Sequence, residues 1–204
     1  MAALFVAYFS FAGSVESQSA RVAAADLSAS VVVAPQNASQ RRPADALDQR
    51  LIADLLVDSI VQIESGGNAR MVGAKGERGL MQIKADTWSE VARRHYGGPI
   101  PFNRAFESDT NRKVGAAYLN DLQLFLARHR AAWKADERSL LLACYNAGPE
   151  RVRQCGFDIR RLPASTRDYI TRGSALHDAL LDDNNVPATA VRLAMDAGRR
   201  AGGV

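Results

Sequence analysis

Cysteine and histidine are scarce in this chain, whose 204 residues include two Cys and three His. A structural zinc site takes four ligands, and no His lies at ligand spacing from the two Cys, so the sequence does not predict a fold organised by zinc. Lysine is scarce as well, since only four of the 26 basic residues are Lys. The basic residues form no long run, and the net charge of +4 therefore gives no argument for nucleic-acid binding.

Long apolar runs are also missing. The most apolar stretch, residues 1–13, is too short to span a bilayer, which takes about 20 apolar residues. Its length fits the apolar part of an export signal, although no Lys or Arg precedes it. We therefore expect an exported protein of the periplasm or cell envelope, with residues 1–20 as its signal. The alternative is an uncleaved hydrophobic arm.

Helical periodicity is the main feature that the sequence does have. Apolar residues recur at three- and four-residue steps between residues 47 and 63, and Asp45 or Asp48 is a candidate cap for this helix. Further patterns predict helices over 87–96, from Asp109 or Thr110, over 137–146 behind Asp136, and from Ser165 or Thr166. The predicted fold class is mainly α, with at most a small β element near residues 66–80.

The composition changes at both ends of the helical region. Residues 21–45 are rich in Ala, Ser, Gln, Val and Pro and show no sustained period, which is typical of a linker. The helix over 137–146 is apolar nearly all round, so we expect it to be central, and Gly148-Pro149 to end it. The prediction is one domain over residues 46–181, followed by a flexible tail over 182–204.

One carboxylate, that of Glu64, lies where the first apolar helix ends at Ser65-Gly66-Gly67-Asn68. Its place in the last turn, at the negative end of the helix dipole, together with partial burial, disfavours the charged form and predicts a raised pKa. No second carboxylate has a spacing that argues for a catalytic pair. Glu77 lies in the turn before Leu80, within reach of a groove, but an exposed loop carboxylate is the commoner outcome there. A lone acid favours chemistry in which the substrate supplies its own nucleophile.

Four ordered blocks accompany this acid and carry a resemblance. They are Glu64-Ser65-Gly66-Gly67-Asn68, Gly79-Leu80-Met81-Gln82, Tyr145-Asn146-Ala147-Gly148 and Pro163-x-x-Thr166-x-x-Tyr169. In their order and spacing they resemble the catalytic domain of lytic transglycosylases, within the superfamily that includes goose-type lysozyme. The resemblance covers roughly residues 47–181. One departure is Gly73, where many members have a Ser.

The resemblance implies a lysozyme-like fold and cleavage of the β-1,4 bond between N-acetylmuramic acid and N-acetylglucosamine, with formation of a 1,6-anhydro end. Glu64 would be general acid and then general base, without a metal or organic cofactor. The alternatives are a hydrolytic muramidase on the same fold and a noncatalytic glycan-binding assembly protein. The implied supports and sugar contacts are Ser65, Met81, Gln82, Tyr145, Asn146 and Tyr169.

The expected partner is the peptidoglycan glycan strand, and we expect a monomer that binds no nucleic acid. By analogy with small members of the family, it serves a secretion or conjugation apparatus in the cell envelope. Cys144 and Cys155 leave two alternatives open. In an exported protein they pair as a disulfide across the turn at Gly148-Pro149, or they are two free thiols of which one is buried.

Overall fold

The computed structural model describes residues 43–191. The regular structure in that range is helical, and six α-helices lie wholly inside it. Their bounds are α1 Pro43–Ser65, α2 Ala85–Tyr96, α3 Ser108–Arg128, α4 Glu137–Ala147, α5 Pro149–Gln154 and α6 Ala164–Asp183. Short 3-10 turns lie at Phe102–Phe106, Arg130–Ala132 and Ile159–Arg161. The prediction of a mainly α fold is confirmed.

Helix α4 is the centre of the fold, as its all-round apolar sequence predicts. Five consecutive residues, from Leu140 to Cys144, are buried, and α4 packs against α3, α5 and α6. The N-terminus of α4 is capped by Asp136, whose side chain accepts a hydrogen bond from the Ser139 N–H at 2.9 Å. Because α4 is held at the cap and buried as far as Cys144, the residues at its C-terminal end have a fixed position.

Helices α1 and α6 pack along each other and bring together the two ends of the site described below. Gly173 of α6 makes the close approach possible, because a Cβ there would lie 3.1 Å from Leu142 and 3.3 Å from Ile63. Ser59, fully buried in α1, donates its hydroxyl hydrogen to the Leu56 carbonyl at 2.8 Å. The buried Ser59 hydroxyl is thus satisfied within α1.

The segment between α1 and α2 is where a small β element was predicted. It contains two isolated antiparallel bridges, Val72 with Arg78 and Arg78 with Ile83. Within residues 43–191 these bridges do not extend into a strand. They shape a tight double turn over residues 72–83, which places Gly79 and the residues after it beside the end of α1.

Several predicted boundaries differ from the structure. Helix α1 begins at Pro43, so Asp45 and Asp48 lie inside it and neither is its cap. Helix α3 begins at Ser108 and α6 at Ala164, with no side-chain cap at either start, and Thr166 is buried rather than capping.

Differences also occur after α4 and at the C-terminal end. A proline at the first helical position needs no N–H partner, and α5 accordingly starts at Pro149. Only the end of the preceding helix was predicted there. Helix α6 runs to Asp183, and Ala190 is buried against Ile52 and Leu55, so the region assigned to the tail is packed at least this far. Residues 192–204 and residues 1–42, including most of the predicted linker and the predicted signal, lie outside the described part.

No helix within residues 43–191 combines the length and the apolar character required to cross a membrane.

Candidate active site

Glu64 lies in the last turn of α1 at the wall of a cavity of about 550 Å³. The Tyr169 hydroxyl of α6 donates a hydrogen bond to Glu64 Oε1 at 2.8 Å. The acid is therefore held between α1 and α6. The cavity is lined by Glu64, Ala74, Lys75, Glu77, Gln82, Ile83, Lys84, Thr87, Tyr118, Tyr145, Asn146, Ala147 and Gly148.

The surroundings of Glu64 raise the pKa of its carboxyl group to about 7. Burial is the largest cause, because it removes water from the charged form. The Tyr169 hydrogen bond opposes burial, the Glu77 carboxylate raises the pKa further, and the Arg172 guanidinium lowers it. A carboxyl group with this pKa exists in both protonation states near neutral pH, which suits a group that first gives and then takes a proton.

Replacing Tyr169 by Phe tests these opposing effects on the pKa of Glu64, and the test needs no substrate. The hydrogen bond from Tyr169 favours the carboxylate, so its loss is expected to move the pKa of Glu64 above the wild-type value of about 7. The measurement is a ¹³C NMR titration of the Glu64 carboxyl carbon. Tyr96→Phe is the control, since the Tyr96 hydroxyl bonds to the Lys113 carbonyl and not to the acid. An unchanged or lower pKa in the Tyr169 variant contradicts the assignment.

Ser65 was predicted to support the acid or contact sugar, and the structure gives it a different partner. Its hydroxyl lies 2.8 Å from the Leu80 carbonyl oxygen and 3.2 Å from that of Val61. A hydroxyl has one hydrogen to donate, and the shorter contact is to Leu80. Ser65 therefore ties the Gly79–Gln82 turn to the end of α1 and does not line the cavity.

The prediction that Met81 contacts the substrate is wrong for its side chain. Met81 is fully buried and belongs to the hydrophobic core. It packs on Gly115 of α3, where an added Cβ would come within 2.1 Å of the Met81 sulfur. Met81 therefore anchors the Gly79–Gln82 turn to the core. Its unbranched thioether fills the space that Gly115 leaves in α3.

Gln82 lines the cavity, as predicted for a site residue, but its amide nitrogen is already engaged. Nε2 donates to the carbonyl oxygens of Gly79 at 2.9 Å and Met71 at 3.1 Å. These bonds hold the residue in a left-handed conformation, with φ 46°, which non-glycine residues seldom adopt. The side chain thus stabilises the turn and presents its carbonyl oxygen, Oε1, beside Gly73.

Tyr145 and Asn146, at the end of α4, both line the cavity. The Tyr145 hydroxyl donates its hydrogen to the Met81 carbonyl at 2.7 Å and not to the acid, and Tyr145 stays in the cavity wall. Tyr145 also packs against Tyr118 of α3, with ring centroids 5.6 Å apart. Asn146 is exposed at the cavity surface. Of the predicted contacts, the Asn146 amide is therefore the best placed to meet a ligand.

Asn111 of α3 is a site-forming residue that the sequence analysis missed. Its side chain is fully buried and makes three hydrogen bonds. Oδ1 accepts from the Met81 N–H at 2.8 Å, and Nδ2 donates to the carbonyl oxygens of Ala105 at 2.8 Å and Arg78 at 3.0 Å. The available signal was a polar residue three positions before Val114, on the apolar face of a predicted helix.

Other cavity residues were also missed or set aside. Glu77, treated as an exposed loop carboxylate, lines the same cavity as Glu64, and Tyr118 of α3 forms part of the wall. Lys75, Lys84 and Thr87 complete the polar surface. Their sequence positions carry no motif, so only the packing of the turn against α2 and α3 reveals their place.

Cys144 and Cys155 are unpaired thiols in the structure. Both are buried, whereas the free-thiol alternative anticipated one buried Cys. Burial raises the pKa of the Cys144 thiol to about 12, which keeps it neutral and unreactive. Cys155 Sγ donates a weak hydrogen bond to the Arg161 carbonyl at 3.5 Å. In this structure the two Cys are packing residues.

The family model of the "Transglycosylase SLT domain" matches residues 44–158, which is more than half of the chain. This chain belongs to the SLT transglycosylase family. The match includes the acid at the end of α1, the turn over 79–82 and the end of α4. It stops before α6, so Tyr169 belongs to the site by its geometry in this SLT chain.

Among curated relatives, the SLT chain is similar to endo-type membrane-bound lytic murein transglycosylase A from two bacteria. The Citrobacter koseri protein is 36% identical over 74 residues, covering 35% of this chain and 36% of the relative. The Cronobacter sakazakii protein is 28% identical over 109 residues, covering 52% of this chain and 54% of the relative. The matches thus span about half or less of those relatives.

Among solved structures, the SLT chain is similar to an inactive mutant of the lytic transglycosylase Slt from Pseudomonas aeruginosa, with a TM-score of 0.56 and 23% identity. The similarity covers 72% of this chain and 24% of that protein. At this identity the likeness concerns the fold, and it agrees with the predicted lysozyme-like helical architecture.

Proposed function

We propose that this SLT chain is a peptidoglycan lytic transglycosylase that cleaves the β-1,4 bond between N-acetylmuramic acid and N-acetylglucosamine. The observation that carries the proposal is the placement of Glu64, a carboxyl group with a pKa of about 7 in the wall of an open cavity. The family match and the names of the relatives agree with this activity. Cleavage leaves a 1,6-anhydromuramoyl end.

The proposed reaction has two proton transfers, both at Glu64. The protonated carboxyl group gives its proton to the glycosidic oxygen, the bond from that oxygen to the muramoyl anomeric carbon breaks, and N-acetylglucosamine leaves with a free 4-hydroxyl. The resulting carboxylate takes the proton of the muramoyl 6-hydroxyl, whose oxygen bonds to the anomeric carbon. Glu64 ends protonated, no water is consumed, and no step is assigned to a metal or cofactor.

The other site residues divide into two groups in this proposal. Asn146 and the Gln82 carbonyl oxygen face the cavity and are assigned to the acetamido and hydroxyl groups of the sugars. The ring of Tyr145 offers an apolar surface to a sugar face. Ser65 and Met81 act through the backbone that they hold, so they position the site.

Product mass tests the function against its alternatives. Wild-type protein incubated with purified peptidoglycan is expected to release muropeptides that are lighter by one water than those of a hydrolase, as measured by mass spectrometry. Products that contain the added water favour the hydrolytic muramidase on the same fold. Binding to the wall without any released product favours the noncatalytic assembly protein.

For the cellular setting, we infer that the protein acts at the cell envelope, where its proposed substrate is found. Both curated relatives have names that describe them as membrane-bound. Local wall opening by a monomer, for a secretion or conjugation apparatus, is part of the same proposal.

A further inference from the structure

Glu77 directly precedes Arg78 in the double turn, inside the loop that the Val72–Arg78 bridge closes. Its backbone carbonyl accepts from the Gly73 N–H at 2.8 Å, and its side-chain Oε2 accepts from the Lys75 N–H at 2.9 Å. The side chain is partly buried and lines the same cavity as Glu64. A solvated loop carboxylate has neither a fixed backbone donor nor a place in a cavity wall.

Gly73 leaves the room that the Glu77 carboxylate occupies. A Cβ added at Gly73 would lie 2.6 Å from Glu77 Oε2 and 2.7 Å from Gln82 Oε1. The φ angle of Gly73 is not in the left-handed region, so the backbone itself does not require glycine there. The ends of these two side chains occupy the space that a Cβ at this position would take. The Gly at 73 and the Glu at 77 are therefore two parts of one arrangement.

The two carboxyl groups of the cavity differ in their preferred charge. Burial tends to raise the pKa of Glu77, but the N–H groups of Glu77 and Lys75 and the nearby Lys84 and Lys75 ammonium groups outweigh it and lower the pKa. Glu77 is thus anionic at a pH where Glu64 is largely protonated. Two carboxyl groups in one site whose pKa values are shifted in opposite directions are typical of a glycosidase acid and its anionic partner.

Within the described residues, neither Lys75 nor Lys84 forms a direct ion pair with Glu77. The charge of Glu77 is therefore available to a ligand in the cavity. The transition state of glycosidic cleavage carries positive charge at the anomeric carbon and ring oxygen. A preorganised anion in the wall of a partly enclosed site lowers the energy of that state.

We propose that Glu77 is a second functional carboxylate, the anion that stabilises the positive charge on the muramoyl ring while Glu64 transfers the proton. This inference rests on the proposed function and deepens it. It assigns the role to a residue outside the four motif blocks, and it gives Gly73 a purpose, namely to make room for that anion.

The test compares wild type with Glu77→Gln, which keeps the side-chain size and removes the charge. We expect kcat for anhydro-product release to fall on the order of 100-fold, with KM within a few-fold, because one charge interaction across a partly buried site is lost. The pKa of Glu64, read by ¹³C NMR, should fall, because Glu77 raises it while Tyr169 and Arg172 act against burial. Asp109→Asn, an exposed change on α3, is the control and should alter neither value.

A second pair of variants separates charge from shape. Gly73→Ser should reduce kcat in the wild-type background, because the new side chain displaces the Glu77 carboxylate. In a Glu77→Ala background the same substitution should cost less, because only its contact with Gln82 Oε1 remains. Full additivity of the two changes overturns the shared arrangement.

The outcomes distinguish the two proposals. An active wild type whose kcat is unchanged in Glu77→Gln, or falls only in step with a lower melting temperature, overturns the role of Glu77 and leaves the transglycosylase proposal standing. Products that contain added water in wild type, lost in Glu77→Gln, make Glu77 a base for water and overturn the electrostatic role. A wild type that releases nothing removes the proposed function, and this role with it.

Discussion

Glu64→Gln is expected to lower the release of glycan fragments by at least about 1000-fold, since positioned proton transfer contributes 10²- to 10⁴-fold and Glu64 serves both transfers. The amide has the size of the carboxyl group, and Tyr169 can still donate to its oxygen, so the cavity keeps its shape. The measurement is muropeptide release by the purified variant, with wall binding assayed in parallel. Fragment release at the wild-type rate would mean that another group supplies the proton.

Glu64→Gln is also expected to change how the free energy of unfolding depends on pH. The pKa of Glu64 is raised in the folded state from 4.5 to about 7, so its folded-state stability contribution is complete below pH 4.5 and is lost as pH rises toward 7. Glu64→Gln removes this loss, which amounts to at most roughly 3 kcal/mol at pH 8. Denaturant unfolding should show the variant more stable than wild type at pH 8 and equal at pH 4. Asp54→Asn, exposed on the same helix, is the matched control.

The helices were predictable where one physical signal dominated. The apolar stripe of α1 and the apolar residues all round α4 predict which faces are buried, and both patterns can be read from the local sequence alone. Helix ends were less predictable, because several residues compete to form them. Gly148-Pro149 ends α4 but also begins α5, since a proline at the first helical position is compatible with either reading.

The acid of the candidate site was predictable because it combines a helix end with a glycine-rich exit. The roles of its neighbours were not, since a motif names residues but does not say where their side chains point. Met81 and Tyr145 belong to the predicted blocks, yet one is core and the other bonds to a backbone carbonyl. Asn111 lies 30 residues from Met81, so its contact with the turn exists only after α3 has packed.

Asn111→Ala is expected to lower the free energy of unfolding by about 3 to 5 kcal/mol. The change leaves the Met81 N–H and the carbonyl groups of Arg78 and Ala105 buried without partners, at about 1 to 3 kcal/mol each, with partial relief from water. Urea unfolding followed by circular dichroism measures it. Asn120→Ala, exposed on the same helix, should change stability by less than about 1 kcal/mol.

Asn111→Asp separates the loss of hydrogen bonds from the loss of volume. Aspartate keeps the acceptor for the Met81 N–H but replaces two donated bonds by a carboxylate facing the carbonyl oxygens of Ala105 and Arg78. The carbonyl oxygens and burial disfavour that charge, so the pKa of the new carboxyl group should rise on folding. A proton restores one donor, and the Asp variant should therefore gain stability relative to the Ala variant as pH falls. Equal stability of the two variants at every pH would show that Asn111 matters for packing and not for its hydrogen bonds.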